Sequence, residues 1–101
     1  MAAPKIPEPM RAVLGEMPAD ESAWAFEVKW DGVRALGAIV DGELHLRSSN
    51  GNDITPRYPE LAGIVEQLDG HSAVVDGEVV RLDPNGRPDF GALQALSLIH
   101  I

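Results

Sequence analysis

The sequence predicts an α+β fold, an antiparallel sheet with one or two helices, and three patterns carry that expectation. Residues 26 to 31 alternate strictly between apolar and charged side chains. Two further apolar runs flank an Asp-Gly pair at Asp41 and Gly42. Leu61, Ile64, Val65 and Leu68 then recur at helical spacing. A period of two marks a half-buried strand, and a period near 3.6 marks one face of a helix.

Taken in order, residues 1 to 22 hold four of the eight prolines, Pro4, Pro7, Pro9 and Pro18. Each fixes its own φ and restricts the residue before it, so this segment is expected to be an extended lead-in. From Trp24 the pattern "AFEVKWD" puts Phe26, Val28 and Trp30 on one side and Glu27, Lys29 and Asp31 on the other, the signature of a strand. Gly32 marks a bend. "VRALGAIV" and "ELHLRS" flank Asp41-Gly42, a hairpin signal because the tight turn needs positive φ. "SSNGND", residues 48 to 53, is loop chemistry. Pro59 suits the first turn of a helix and Gly70 its end. Residues 72 to 83 are β-rich with a central Asp-Gly, "PNGRP" is a turn, and Asp89 is placed to cap a second helix beginning "DFGALQAL". There is no internal repeat.

A chain of 101 residues is one small domain or part of a larger one. Its hydrophobic fraction of 45% is enough for a core, built on aliphatic side chains because only 5% of residues are aromatic. Acids outnumber bases 16 to 8, for a net charge of −8. Phosphate-backbone affinity rests on clustered Lys and Arg, so DNA contact requires local patches or parts outside this chain. The absence of cysteine excludes disulfides and thiolate metal sites, and fits a reducing interior. The N-terminus lacks the apolar core of a signal peptide, and no stretch reaches membrane-spanning length. The expectation is a soluble cytoplasmic protein with no membrane partner.

Lys29 is the residue with a chemical question attached. On a strand face between Glu27 and Asp31 it reads as an ordinary exposed lysine. As a nucleophile it must first lose its proton, and adjacent acids oppose that. Desolvation, a second cation or a metal carried in with a substrate would have to offset them. Arg34 lies close by, and its planar fork suits phosphate groups. Lysine, glycine and arginine together make a coherent phosphoryl- or nucleotidyl-transfer set.

"KWDGVR", residues 29 to 34, resembles the KxDGxR signature of the covalent nucleotidyltransferases, the superfamily of ATP-dependent DNA ligases, RNA ligases and capping enzymes. "LRSSNGNDITPRYPEL", residues 46 to 61, is similar to the next ligase motif, and "VVDGEVVRLDPNGRPDFGALQ", residues 74 to 94, to the third. "PEPMRAVLGEMP" resembles the family's lead-in. The wording is most like the bacterial ATP-dependent DNA ligases, including the ligase domain of the end-joining protein. The organisation implied is a lead-in over 1–22, the N-terminal portion of a ligase adenylation domain over 23–95, and a tail over 96–101.

The resemblance implies that Lys29 attacks the α-phosphate of ATP and carries AMP to a 5′-phosphate in nicked double-stranded DNA, with Mg²⁺ or Mn²⁺ assisting. Glu27 matches the position that contacts the adenine amino group. Arg34 and Arg47 match nucleotide contacts near phosphate or ribose. Glu78 matches a residue that contacts the ribose hydroxyl or supports the metal, and Asp76 two positions earlier shares its strand face. Asp31 and Gly32 match supporting positions of the first motif. Phe90 matches a family aromatic, with helix packing and nucleotide contact both open, and Gly91 stands where the family more often has glutamine. His45, His71 and His100 match no functional position. The family's later adenine-sandwiching strand, metal-binding glutamate motif, lysine-rich motif and OB-fold domain have no counterpart in these residues, so the fragment by itself is expected to be inactive and to expose a sheet edge open to self-association. The ending "LSLIHI" also reads like a translated sequencing adapter, which makes a non-native tail the expectation for 96–101. Two rival readings are an RNA ligase or capping-type enzyme, and a non-catalytic module that binds nucleotide or a partner protein.

Overall fold

The computed structural model describes residues 5–99, and His100 lies outside the described residues. A single antiparallel sheet is formed by β1 (Val33–Val40), β2 (Glu43–Ser48) and β3 (Ala73–Val79), in the order β2-β1-β3. The hairpin between β1 and β2 turns on Asp41 and Gly42, at φ 50° and 78°. Val40 pairs with Glu43 across that two-residue loop, the arrangement expected of a type I′ connection. The second Asp-Gly behaves differently. Asp76 and Gly77 lie in the middle of β3, paired with Leu36 and Ala35.

Pleating gives the sheet two unlike faces. Ala35, Ile39, Leu44 and Leu46 point to one of them and form the core with Ile54, Tyr58 and Leu93. Helical segments cover that face. A 3-10 turn spans Thr55–Arg57, a second spans Pro59–Gly63, and α1 (Ile64–Gln67) follows directly. The expected single helix from Pro59 is therefore mostly 3-10. Pro59 restricts the residue before it, and Tyr58 sits at φ −133°, ψ 62°, outside the helical region. The apolar spacing holds nonetheless: Leu61, Ile64, Val65 and Leu68 all pack on the core. Gly70, at φ 81°, terminates the run. α2 (Phe90–Ile99) begins where Asp89 Oδ1 accepts the Ala92 amide at 3.0 Å, so Gly91 does not disturb the start. Residues 96–99 continue α2 without a break.

One expectation fails. Residues 24 to 31 form no strand. Phe26, Val28 and Trp30 are 57%, 70% and 48% exposed rather than half-buried against a core. Alternation disposes a chain to be extended, but a strand needs a neighbour to take its N–H and C=O groups, and none of the described residues pairs with this segment. No helix among the described residues is long and apolar enough to cross a membrane.

Candidate functional site

The face of the sheet opposite the core gathers most of the predicted site residues, and cross-strand register does the gathering. Arg34 on β1 stands opposite Glu78 on β3. One row further on, Leu36 stands between Asp76 on β3 and Arg47 on β2. Four charged residues from three sequence-distant motifs thus share one face, with a buried leucine among them.

Arg34 grips its diagonal neighbour rather than its direct partner. Its Nε donates to Asp76 Oδ1 at 3.1 Å and its Nη2 to Oδ2 at 2.8 Å, a bidentate fork. Its Nη1 donates to the Met10 carbonyl. Each guanidinium nitrogen thus makes one bond within the chain, which leaves the second N–H of Nη1 and of Nη2 for the nucleotide contact expected of Arg34. The hydrogen bond from Arg34 holds the Asp76 carboxyl below the ordinary carboxylate value, and the same bond raises the arginine.

Arg47 closes β2 and donates from Nη1 to the Gly51 carbonyl at 3.1 Å. The loop it touches is internally tied. The Gly51 amide donates to the Ser48 carbonyl at 2.9 Å, and the Asn52 amide to Ser48 Oγ at 3.2 Å. Asp53 Oδ1 accepts both the hydroxyl and the amide of Thr55, at 2.7 and 3.0 Å, and the hydroxyl bond lowers its pKa. Thr55 Oγ1 in turn accepts the Leu46 amide at 2.8 Å, so the loop is fastened back onto β2.

Gly32 is fixed by close packing. A Cβ at this position would lie 2.0 Å from the Val79 carbonyl oxygen and 2.8 Å from Val80 Cγ1. Only glycine lets the backbone reach the end of β3 there. The lysine segment enters the sheet through this contact, three residues after Lys29. Lys29 itself is 91% exposed, its Nζ 3.6 Å from Asp31 Oδ1. Glu27 is exposed and forms no hydrogen bond or ion pair among the described residues. The structure does not bring Lys29 and Glu27 onto the charged face. Phe90 lies beside Val33, Tyr58 and Leu93, on the helical side of the sheet, which fits packing. Among the described residues no three His, Asp or Glu side chains cluster as a metal site.

The sequence reading passed over Arg11. Its Nη2 donates to the Ser49 carbonyl at 2.9 Å and to Asn50 Oδ1 at 3.3 Å. An isolated arginine in a proline-rich lead-in carries no pattern that would single it out.

The family model described as ATP dependent DNA ligase domain matches residues 3–97. The multifunctional non-homologous end joining DNA repair protein LigD of Mycobacterium tuberculosis is 45% identical over 87 residues, covering 85% of this chain and 12% of that protein. The LigD of Pseudomonas aeruginosa is 44% identical over 86 residues, covering 85% of this chain and 10% of the relative. The crystal structure of the ligase domain from M. tuberculosis LigD superposes with a TM-score of 0.63 at 43% identity, over 68% of this chain and 23% of that one. A mycobacterial DNA ligase D complexed with ATP and MES matches equally, with a TM-score of 0.63 at 44% identity. The chain spans about a tenth of the length of these curated relatives. It belongs to the ATP-dependent DNA ligase domain family, of whose domain it covers a part.

Proposed function

We propose that this chain supplies the nucleophile and one wall of the adenylation site of an ATP-dependent DNA ligase acting in bacterial end-joining repair. The observation that carries the reading is the face on which Arg34, Arg47, Asp76 and Glu78 meet, joined through Gly32 to the segment that holds Lys29.

The amine of Lys29 attacks the α-phosphorus of ATP. A nitrogen–phosphorus bond forms, the bond from the α-phosphorus to the bridging oxygen breaks, and pyrophosphate leaves with the electron pair. The attack needs an unprotonated amine, so the solvent-open ion pair with Asp31 must give way first. Glu27 accepts the adenine amino group, which favours adenine over guanine. Arg47 and Glu78 face the ribose and phosphates, while Asp31 and Gly32 shape the lysine loop. Phe90 supports the helical layer. Glu78 is the carboxylate available to a Mg²⁺ or Mn²⁺ ion, which when bound neutralises phosphate charge and orients the leaving group. AMP then passes to the 5′-phosphate of nicked double-stranded DNA, and the 3′-hydroxyl displaces it. The end-joining names of the relatives support DNA as substrate and the bacterial cell interior as the site of action.

The test is a mass measurement on the full-length ligase after incubation with ATP and Mg²⁺. An AMP increment on the peptide containing Lys29 is expected, and Lys29→Ala abolishes it. A wild-type protein without the adduct, or an adduct that persists in Lys29→Ala, ends this reading.

A further inference from the structure

The lead-in crosses the charged face. Ile6, Pro7 and Pro9 line a cleft with Leu36 and Arg47, and Leu36 is buried although it points away from the core. Pro7 and Pro9 hold this stretch extended and lower the entropy cost of laying it down. Its next two residues then fasten in different directions. The Met10 carbonyl accepts from Arg34, which is forked onto Asp76 of β3. The Arg11 guanidinium donates to the Ser49 carbonyl and Asn50 Oδ1, in the loop whose Gly51 carbonyl accepts from Arg47.

We propose that Met10 and Arg11 form a latch that sets both arginines of the charged face, making the lead-in a positioning element of adenylation. This rests on the ligase reading above. Three of the five N–H groups of Arg34 are bonded within the chain, so it holds β1, β3 and the lead-in in one geometry. Arg11 does the same for the Ser48–Asn52 loop, and through it for Arg47.

Arg11 is exposed, so its truncation is expected to leave the thermal midpoint of the full-length ligase unchanged. In lysyl-AMP formation by that protein, Arg11→Ala raises KM for ATP about fivefold, the size of one ordinary exposed hydrogen bond, with kcat within about twofold. Arg11→Lys restores most of the affinity, because an ammonium still donates to the Ser49 carbonyl. Hydrogen exchange on the same proteins gives a readout independent of catalysis: peptides spanning residues 48–53 exchange faster in Arg11→Ala than in wild type. An unchanged KM, or a KM rise that follows a fall in thermal midpoint, overturns the latch. Identical exchange of the 48–53 peptides in both proteins overturns it as well, whether or not the ligase is active. A wild type that forms no lysyl-AMP defeats the ligase reading alone.

Discussion

The sheet and the lysine segment are built from similar sequence patterns and end in opposite states. In β1–β3 each alternating run has a neighbour, and the pairing buries one face and aligns Arg34, Arg47, Asp76 and Glu78 on the other. In residues 26 to 31 the alternation is stricter, yet Trp24, Phe26, Val28 and Trp30 are exposed and, among the described residues, Lys29 pairs with Asp31 alone. Cross-strand register can therefore bring charged side chains together, while the lysine proposed as nucleophile lies on an unpaired segment that joins the sheet through Gly32.

The largest way to break the contrast is to remove the sheet's core. Ile39 is 1% exposed, and Ile39→Ala is expected to cost about 3–4 kcal/mol, from lost transfer energy plus a cavity. Urea denaturation of the 101-residue chain measures it, and a cost under about 1 kcal/mol would show that the sheet is not the stable half. Gly32→Ala strikes the tether. With a Cβ aimed at the Val79 carbonyl, the backbone must shift, at about 2–3 kcal/mol by the same measurement, and lysyl-AMP formation in the full-length ligase should fall with it.

Acid tests the hydrogen bonds of the sheet region. Asp76 and Asp53 are held below the ordinary carboxylate value by bonds from Arg34 and Thr55. A depressed carboxylate adds stability that is complete above the unfolded value, near pH 3.9, and is lost as pH falls through the lower folded value. Stability should thus decline below about pH 4. In Arg34→Met the Asp76 carboxyl should return toward the ordinary range in a ¹³C NMR titration, and an Asp76 that titrates as in wild type would deny the fork its role. The smallest effect belongs to the lysine segment: Phe26→Ala should change stability by no more than about 0.5 kcal/mol. A loss above 1 kcal/mol would mean that Phe26 is packed in solution and that the two regions differ less than their exposures indicate.

Most residues of the candidate site could be named from the sequence because they lie in short motifs whose side-chain chemistry is specific. Lysine, glycine and arginine at fixed spacing carry their meaning locally, and so do the paired acids of "DGEV". What could not be read was which of them an internal partner would occupy. Arg34 was expected to face nucleotide, and it is the diagonal placement of Asp76 on β3, a residue 42 positions away in sequence, that claims its fork. Arg11 carried no local signal at all, because its partners lie 38 and 39 positions further along.

The two Asp-Gly pairs divide the problem most clearly. At Asp41-Gly42 the sequence by itself determined the outcome, since two residues between matched apolar runs admit only a tight turn with positive φ. The same local logic set the Asp89 cap, the stop at Gly70 and the apolar spacing from Leu61 to Leu68. At Asp76-Gly77 the identical dipeptide runs straight through a strand, because β1 offers it a hydrogen-bonding edge along its whole length. Residues 24 to 31 have strand chemistry and no such edge, and they stay unpaired. Dihedral preferences belong to a residue and its nearest neighbours, so the sequence sets turns and caps. A strand is a property of two segments, so only the tertiary structure decides where the "FEVKWDGVRA" stretch becomes a sheet, between the lysine and its arginine.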